Sequence, residues 1–368
     1  MYKNFWYPVA ASHEITNNAP LRVRIMHLDF AAFRGSNGQA HVLADTCVHR
    51  GGALGAGKIK TDCIECPYHG WQFDGNGRCQ VIPSLKDESP PARAKVDSYP
   101  VQEKYGIVFA FLGDLPESER PPLWEIEEYE AEGWRANKLV VFDVDYYYER
   151  SVENALDPAH NEFVHPKQGA PGMMLDFKKT PIQIEKIQDW GSGFMMPFSQ
   201  IEPDDGLLDE ANSWSREVVT AGSGHFGPNA VVTWLHFNER NWFHQYFFEA
   251  PIDEKRTRIF FVNMRRFMLE PDNDQRIIDI NMEIAQEDID LLINLNPVQT
   301  PESLSKEILV PSDKPIVSYR EYLKEWEKLG WKLDQNKIKQ LRDNLAMAIP
   351  SPNRKIEKNW VLDEVPTI

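Results

Sequence analysis

Apolar residues recur along this chain in short runs separated by turn residues, and the pattern predicts strands over much of its length. In the first third, apolar runs at 22–33, 41–45 and 107–112 are separated by SNG at 36–38 and DGNG at 74–77. Strand-like runs recur later, at 139–149, 181–187, 214–220, 229–237, 241–250 and 256–267. The last two runs flank the segment PIDEK, which predicts a β-hairpin.

Helical periodicity is restricted to a few segments. One contains residues 153–165, and a second spans roughly 273–295 with Pro297 just beyond it. A third spans about 316–329, where Gly330 closes it, and a further charged helical stretch follows. The chain therefore predicts a β-rich beginning followed by a mixed region of strands and helices.

A Pro- and Glu-rich segment, LPESERPPLWEIEEYEAEG, separates these two regions and is typical of a surface connection. We therefore predict four parts of the chain. They are an N-terminal domain at 1–115, a connection at 116–135, a second domain at 136–300, and a helical C-terminal tail at 301–368 that belongs to the second domain.

The composition is that of a globular protein, since 42% of the 368 residues are hydrophobic and 26% are charged. Residues 1–120 hold 13 basic and 13 acidic side chains, so the net charge of −16 arises after residue 120. Acidic balance argues against general nucleic-acid binding and against docking to acidic membranes, because both need basic surface. The sequence has neither an apolar span of about 20 residues nor a secretory signal, so we expect a cytoplasmic protein.

All four cysteines lie within 33 residues, at positions 47, 63, 66 and 79. From Cys47 to His69 the sequence contains C-x-H, then sixteen residues, then C-x-x-H. Such a set can hold one tetrahedral zinc ion, or a [2Fe–2S] cluster with cysteines on one iron and histidines on the other. Zinc fingers pair cysteine with cysteine and histidine with histidine, whereas each half here contributes one of each, which favours the cluster.

The loops CVHRGG and CPYHGWQFDGNG resemble the cluster-binding loops of the Rieske non-haem iron oxygenases. The resemblance implies that Cys47 and Cys66 bind one iron and that His49 and His69 bind the outer iron. The other two cysteines match no family ligand, and we interpret them as small buried side chains. The implied fold class is α+β: an all-β Rieske [2Fe–2S] domain, followed by a helix-grip catalytic domain in which a curved antiparallel sheet wraps a long helix.

A second group of candidate ligands lies in ENALDPAHNEFVH at 153–165. Two imidazoles and one carboxylate form the facial triad of non-haem Fe(II) oxygenases, which leaves positions open for O₂ and substrate. The family pattern D-x-x-H-x-x-x-x-H matches Asp157, His160 and His165. The histidines are five residues apart, about 140° around an ideal helix, so one regular helix would not direct both at one ion. Either a π-bulge intervenes or the helix ends before His165, and Pro166 favours the second alternative.

The carboxylate ligand must come from elsewhere, and NMEIAQEDIDLLINL at 281–295 offers candidates. On a helix, Asp288 would lie on the apolar stripe with Ile284 and Leu292, whereas Asp290 would face the polar side. A carboxylate on a buried stripe is costly unless it is paired or bound to metal. Asp288 also matches the acidic residue of a late E-D motif in the family, so we predict it as the third iron ligand, with a satisfied buried aspartate as the alternative.

The resemblance gives roles to two further residues near the histidines. The carboxylate of Asp157 would bridge two imidazoles, accepting from His160 within the subunit and from His69 of a neighbouring subunit. An aspartate before proline is also a helix N-cap signal, and the two roles are compatible. Asn154 matches a family asparagine near the iron, and the alternative is a polar residue on the helix surface.

Strands at 229–263 are expected to wall the substrate pocket. Alternation puts Trp234 and His236 on one face of a strand, and Phe261 is a further candidate. The alternative for each is ordinary core packing, because aromatic side chains dominate protein cores.

Taken together, the resemblance implies a terminal oxygenase of the smaller, homotrimeric monooxygenase or demethylase type. Such an enzyme uses O₂ and electrons relayed through a Rieske cluster to mononuclear Fe(II), and it hydroxylates or demethylates a small aromatic or cyclic substrate. Electrons would come from NAD(P)H through a separate reductase or ferredoxin, which could dock on Arg50, Lys58, Lys60 and Arg78. The alternatives are ring cis-dihydroxylation, a Rieske electron-transfer protein without catalytic iron, and a zinc-stabilised binding module.

Overall fold

The computed structural model describes residues 1–165, 177, 179–198, 219–301 and 303–368. Contacts divide the chain into two compact units, which are Met1–Leu123 together with Trp326–Ile368, and Trp124–Glu325. None of the helices in the described part of the chain combines the length and the apolar character that crossing a bilayer requires.

The N-terminal unit contains three small antiparallel sheets, which confirms the predicted all-β domain. Their strands are β1 Phe5–Ala11, β2 Leu21–Ile25, β3 Leu28–Arg34, β4 Ala40–Ala44, β5 Lys58–Lys60, β6 Cys63–Glu65, β7 Gln72–Phe73, β8 Cys79–Val81, β9 Ser98–Tyr99, β10 Val101–Lys104 and β11 Ile107–Leu112. The strand orders are β1–β11–β10, β2–β3–β4–β9 and β5–β6–β7–β8.

The apolar run at 22–33 is a hairpin of two strands. Met26 and His27 adopt φ angles of 52° and 69° between the paired residues Ile25 and Leu28. Two left-handed residues form the tight turn whose twist matches that of the flanking strands. The two residues are not the Asn-Gly or Asp-Gly pair that signals such a turn, so the turn was not visible in the sequence.

The second unit is organised around one eight-stranded antiparallel sheet. Its strands are β12 Arg135–Ala136, β13 Val140–Val144, β14 Glu185–Ile187, β15 Gly191–Phe198, β16 Val219–Phe226, β17 Ala230–His236, β18 Trp242–Pro251 and β19 Thr257–Arg265. The order is β14–β15–β16–β17–β18–β19, and both β12 and β13 pair with β19. The predicted hairpin around PIDEK is β18–β19.

The helices of the described residues are α1 Tyr148–Leu156, α2 Asn161–Val164, α3 Asp274–Leu292, α4 Lys314–Lys328, α5 Gln335–Leu341 and α6 Asn353–Ile356. The predicted long helix is α3, and it packs against the sheet near both ends. Ile277 lies in a buried cluster with Phe243, and Leu292 lies in another with Ile259. A long apolar-faced helix on an antiparallel sheet is the predicted catalytic-domain architecture.

Two neighbouring strands were poorly predicted. The sequence pattern did not indicate β15, and it placed a strand at 214–220, of which 214–218 lie outside the described residues. Both β15 and β16 contain glycines, which usually indicate turns. Here the glycine is required by close approach, because a Cβ atom on Gly222 would lie 1.8 Å from the carbonyl oxygen of Phe194.

The C-terminal tail differs from the predicted domain division. We assigned it to the catalytic domain, whereas Trp326–Ile368 groups with the N-terminal unit. Arg354 makes a bidentate ion pair with buried Asp97 at 2.7 and 2.8 Å, and the Tyr99 hydroxyl donates to the Ile349 carbonyl at 2.8 Å. These contacts join residues about 250 positions apart, and local sequence patterns contain no signal for them.

Candidate metal centres

Two short loops hold the first group of candidate ligands, and their backbones fold alike. Cys47 and Cys66 lie just after strands and are each 2% exposed. The Gly51 N–H donates to the Cys47 carbonyl at 2.9 Å, and the Gly70 N–H donates to the Cys66 carbonyl at 3.0 Å. Both glycines have a φ angle of 71°, a left-handed conformation that is costly for other residues. Each loop therefore turns tightly around a buried sulfur.

The histidines of these loops lie outside the cysteines. His49 and His69 are exposed, their ring centroids are 4.4 Å apart, and His49 stacks on Trp71 at 4.6 Å. A Cβ atom on Gly52 would lie 2.9 Å from the Cys66 sulfur, so glycine keeps that approach open. Buried thiols with exposed imidazoles fit a [2Fe–2S] cluster whose inner iron has cysteine ligands and whose outer iron has histidine ligands.

Burial makes the thiolate form of these cysteines costly unless a cation stabilises it. Burial raises the pKa of the Cys47 thiol to about 12, so without a neighbouring cation this sulfur would stay protonated at neutral pH. Metal ligation needs the thiolate, which a cationic iron centre stabilises. Cys63 and Cys79 are also buried and free, and burial raises the pKa of each to about 11. They lie in β6 and β8 rather than in the two loops.

The second group of ligands converges on one point. The Nε2 atoms of His165 and His160 lie 3.3 and 3.8 Å from Oδ1 of Asp288. One ligand atom from each of these residues lies within 4.8 Å of the others. Two imidazoles and a carboxylate on one side of an ion fit mononuclear Fe(II) with open positions. The alternative carboxylate, Asp290, is exposed and accepts a hydrogen bond from Gln286 at 2.7 Å.

Local backbone geometry explains how histidines five residues apart face one point. Helix α2 has only four residues, and His160 and His165 are the residues that flank it. His165 has φ −112° and ψ 75°, which lies outside the α region. The helix therefore ends before His165, as one of the two predicted alternatives required.

Asn154 and Glu287 hold two of the ligands by hydrogen bonds. The Asn154 amide donates to Oδ1 of Asp288 at 2.9 Å, and Nδ1 of His165 donates to the Glu287 carboxylate at 2.9 Å. Burial alone would lower the pKa of His165, but the two carboxylates together raise it above its ordinary value. Glu287 was not predicted as a partner of His165, and its only sequence signal was its place in the E-D pair.

Asp157 makes a different contact from the predicted one. Nδ1 of His160 donates to the main-chain carbonyl of Asp157 at 2.5 Å, and the Asp157 carboxylate accepts from the Ala159 N–H at 2.8 Å. Asp157 follows the last residue of α1 and does not cap the start of α2. The side chain folds back over the D-P-A turn, so a main-chain contact replaces the predicted contact between His160 and the carboxylate.

A cavity of about 120 Å³ opens at the three converging ligands. The sheet residues that line it include Thr233, Leu235, Gln245, Phe247, Ile259 and Phe261. Phe261 therefore lies where the sequence analysis placed it. Trp234 and His236 were assigned to the same wall, but alternation along β17 puts them on the opposite face of the sheet, where His236 stacks on Trp242 at 4.2 Å. The sequence predicts that alternate residues of β17 lie on opposite faces of the sheet, but it does not predict which face borders the cavity.

Comparisons with known families agree with this geometry. A family model described as the Rieske [2Fe-2S] domain matches residues 5–100. A second model, the vanillate O-demethylase oxygenase C-terminal domain, matches residues 144–329, which is half of the chain. The chain belongs to the Rieske non-haem iron oxygenases. Its N-terminal part is thus a Rieske [2Fe–2S] domain, and its second part is an oxygenase catalytic domain.

Curated relatives and solved structures extend this result. The chain is 27% identical over 261 residues to the 5,5'-dehydrodivanillate O-demethylase oxygenase subunit of Sphingobium, a match that covers 69% of this chain and 56% of that protein. It is 25% identical over 333 residues to the methylxanthine N1-demethylase NdmA of Pseudomonas putida, covering 88% of both. The solved structure of NdmB from Pseudomonas putida CBB5 has a TM-score of 0.72 at 24% identity, covering 89% of this chain and 91% of that one, and it supports the fold.

Proposed function

We propose that this family member is a terminal oxygenase that inserts one oxygen atom from O₂ into a C–H bond of a small organic substrate. The observation that carries the proposal is the convergence of His160, His165 and Asp288 at the wall of a cavity. Fe(II) bound there would activate O₂, and a cluster bound by the two cysteine–histidine loops would supply the electrons. When the attacked carbon is a methyl group on oxygen or nitrogen, the hydroxylated product loses formaldehyde, and the net reaction is demethylation.

The residues around the triad would keep it ready for this reaction. Asn154 holds the Asp288 carboxylate, and Glu287 holds His165 in the tautomer that leaves Nε2 free for metal. Apolar lining residues such as Phe247 and Ile259 exclude water from the reacting carbon.

We infer a substrate with about one ring and an oxygen atom that accepts a hydrogen bond. The cavity of about 120 Å³ is similar in size to an engineered cavity of about 150 Å³ that binds benzene. Asn281 lines it, accepts from Gln245 at 2.9 Å, and has an amide nitrogen without a partner among the described residues. A buried donor without a partner costs stability, and a substrate oxygen would satisfy it. The names of two relatives state demethylation, which favours O- or N-methylated rings for this chain as well.

We further propose that the chain works as a homotrimer in the cytoplasm and takes electrons from a separate reductase or ferredoxin. His69 is exposed, as transfer to a neighbouring subunit would require, and the proposed route runs from His69 through Asp157 of that subunit to His160, which contacts the Asp157 main chain. Of the four basic residues proposed for donor docking, Lys58 and Lys60 pair with Glu65 at 3.1 and 3.4 Å. Exposed pairs of this kind are weak and can exchange partners on docking.

The test is metal analysis followed by turnover in ¹⁸O₂. Purified protein should contain about three irons and two sulfides per chain and give a Rieske-type EPR signal after reduction. With a donor system and a panel of methoxybenzoates and N-methylated heterocycles, we expect formaldehyde release and one ¹⁸O atom in the oxidised carbon. Two ¹⁸O atoms in a ring diol would indicate dihydroxylation instead. Retained turnover in His160→Ala would remove the iron site from the mechanism, and zinc without sulfide would refute the proposal.

A further inference from the structure

Glu249 is a buried carboxyl group outside the candidate metal site. It lies on β18, it is 0% exposed, and among the described residues no hydrogen bond of good geometry reaches either carboxyl oxygen. An unpaired carboxylate in such a place is costly, so the neutral acid is the favoured form. Burial raises the pKa of Glu249 to about 8, and the nearby Ser151 hydroxyl offsets only part of this effect.

The position of Glu249 relates it directly to the cavity. Gln245 and Phe247, four and two residues earlier on β18, both line the cavity, and alternation puts Glu249 on the same face of the strand. Its partner across the β18–β19 ladder is Ile259, which also lines the cavity. The carboxyl group therefore lies on the cavity side of the sheet, next to residues that line the cavity.

Ser151 connects this carboxyl group to the cavity. Ser151 lies on α1, and both it and Tyr146 belong to the cavity lining. Helix α1, which carries Ser151, packs against β18, which carries Glu249, and the Ser151 hydroxyl lowers the pKa of both Glu249 and Tyr146. Burial, followed by the charge of Glu249 and a smaller effect of Asp288, nevertheless keeps the pKa of Tyr146 well above its ordinary value. Tyr146 is thus a poor proton donor, and Glu249 is the better acid of the two.

We propose that Glu249 stores a proton and delivers it through Ser151 into the cavity during turnover. The inference rests on the proposed oxygenase function, which sets the need for protons. Inserting one oxygen atom into a C–H bond consumes one O₂, two electrons from the donor and two protons, and it releases one water. Among the described residues that line the cavity, Asp288 is the one carboxyl group, and it belongs to the metal site.

The O–H bond of Glu249 breaks and its proton moves to the Ser151 oxygen, while the hydroxyl proton of Ser151 passes to an acceptor in the cavity. Glu249 is left as a carboxylate, and it takes a proton back from water over the same path after the product leaves. A hydroxyl group can serve in both directions because it is at once donor and acceptor.

The first test is the protonation state of Glu249 in the holoenzyme. The infrared spectrum of the wild type at pH 7 should contain a carbonyl-stretch band of a neutral carboxylic acid that is absent from Glu249→Gln. The melting temperature of the wild type should also fall more than that of Glu249→Gln between about pH 5 and pH 8, because in this range the folded chain holds a proton that the unfolded chain has released. Identical spectra and identical pH dependence would overturn the proposal.

The second test is turnover, with two matched serines as the comparison. Glu249→Gln and Ser151→Ala should each lower turnover at least about tenfold with unchanged iron and sulfide content. Ser151→Thr keeps a hydroxyl group, so it should retain most of the wild-type turnover. Ser223 also lines the cavity, but it lies opposite Phe194 and Thr233 rather than beside Glu249, so Ser223→Ala should lower turnover clearly less than Ser151→Ala does.

Two turnover results would overturn the relay: wild-type rates in Glu249→Gln, or equal losses in the two serine-to-alanine variants. A wild type that is loaded with iron but oxygenates no compound would instead overturn the proposed function, and with it the need for a relay. The infrared band of Glu249 would still be present in that case, so the two failures are distinguishable.

Discussion

The contact between His165 and Glu287 gives the sharpest test of the iron centre, because it can be weakened without removing a ligand. Glu287→Gln keeps an oxygen acceptor for Nδ1 of His165 at about the present 2.9 Å but removes the negative charge. Loss of such an outer partner costs 10–100-fold in metal affinity, which is about 1.4–2.8 kcal/mol. The Glu287 side chain is 26% exposed, so water screens part of its charge. We therefore expect the lower end, a loss of about tenfold.

The measurement is an anaerobic titration of metal-free protein with Fe(II). Binding is detected from the change in magnetic circular dichroism or by competition with a chelator. Asp290→Asn is the matched control, because Asp290 lies on the same helix and its exposed carboxylate accepts a hydrogen bond from Gln286. The control should bind Fe(II) as the wild type does. Equal Fe(II) affinity of Glu287→Gln and the wild type would show that the contact does not orient His165. Equal losses of affinity in both variants would show that the effect comes from removing any negative charge on this helix.

Three further predictions concern other parts of the molecule. Cys47→Ser should lose the acid-labile sulfide of the purified protein, whereas Cys63→Ser should keep it, as measured by sulfide analysis. Arg320→Met should lower the free energy of unfolding by about 3–5 kcal/mol, because the buried Glu153 carboxylate loses the guanidinium that binds it at 2.6 and 2.9 Å. The free energy is measured by urea titration, and the double variant with Glu153→Gln should recover part of the loss. Burial alone would raise the pKa of Glu128, but its histidine and tyrosine donors hold that pKa below the ordinary value. The ionised carboxylate therefore contributes stability above about pH 4.3, and this contribution is lost as the pH falls. The melting temperature of Glu128→Gln should fall less on acidification than that of the wild type.

The candidate metal sites could be predicted from the sequence because each ligand is indicated by its near neighbours in the chain. Cys47 and His49 lie in one loop, Cys66 and His69 in another, and the apolar stripe of one helix selected Asp288 over Asp290 by simple periodicity. Each of these inferences needed only a few neighbouring residues. The end of α2 before His165 also followed from local geometry, since a spacing of five residues does not fit one helix face.

The remaining features depend on contacts that no local pattern contains. Alternation along β17 separates Trp234 and His236 from Leu235, but the face that borders the cavity depends on where α1 and α3 pack. The Asp157 carboxylate turned away from His160 because the following N–H groups compete for it, which is a matter of backbone conformation. The tail was misplaced for the same kind of reason, since Arg354 finds its partner Asp97 far back in the chain.

Helix α3 links the substrate contact to the metal site through its own geometry. Asn281 and Asp288 are seven residues apart, close to two full turns, so their side chains leave the same face of the helix about 10 Å apart along its axis. Ile284 and Ala285 lie between them and also line the cavity. A substrate oxygen held by Asn281 would therefore lay one ring over these two residues and bring a methyl carbon on its far side to the iron ligands. The spacing on one helix would then determine which carbon reacts, and substitutions at Ile284 or Ala285 would change the preferred substrate while Asp288 keeps its place.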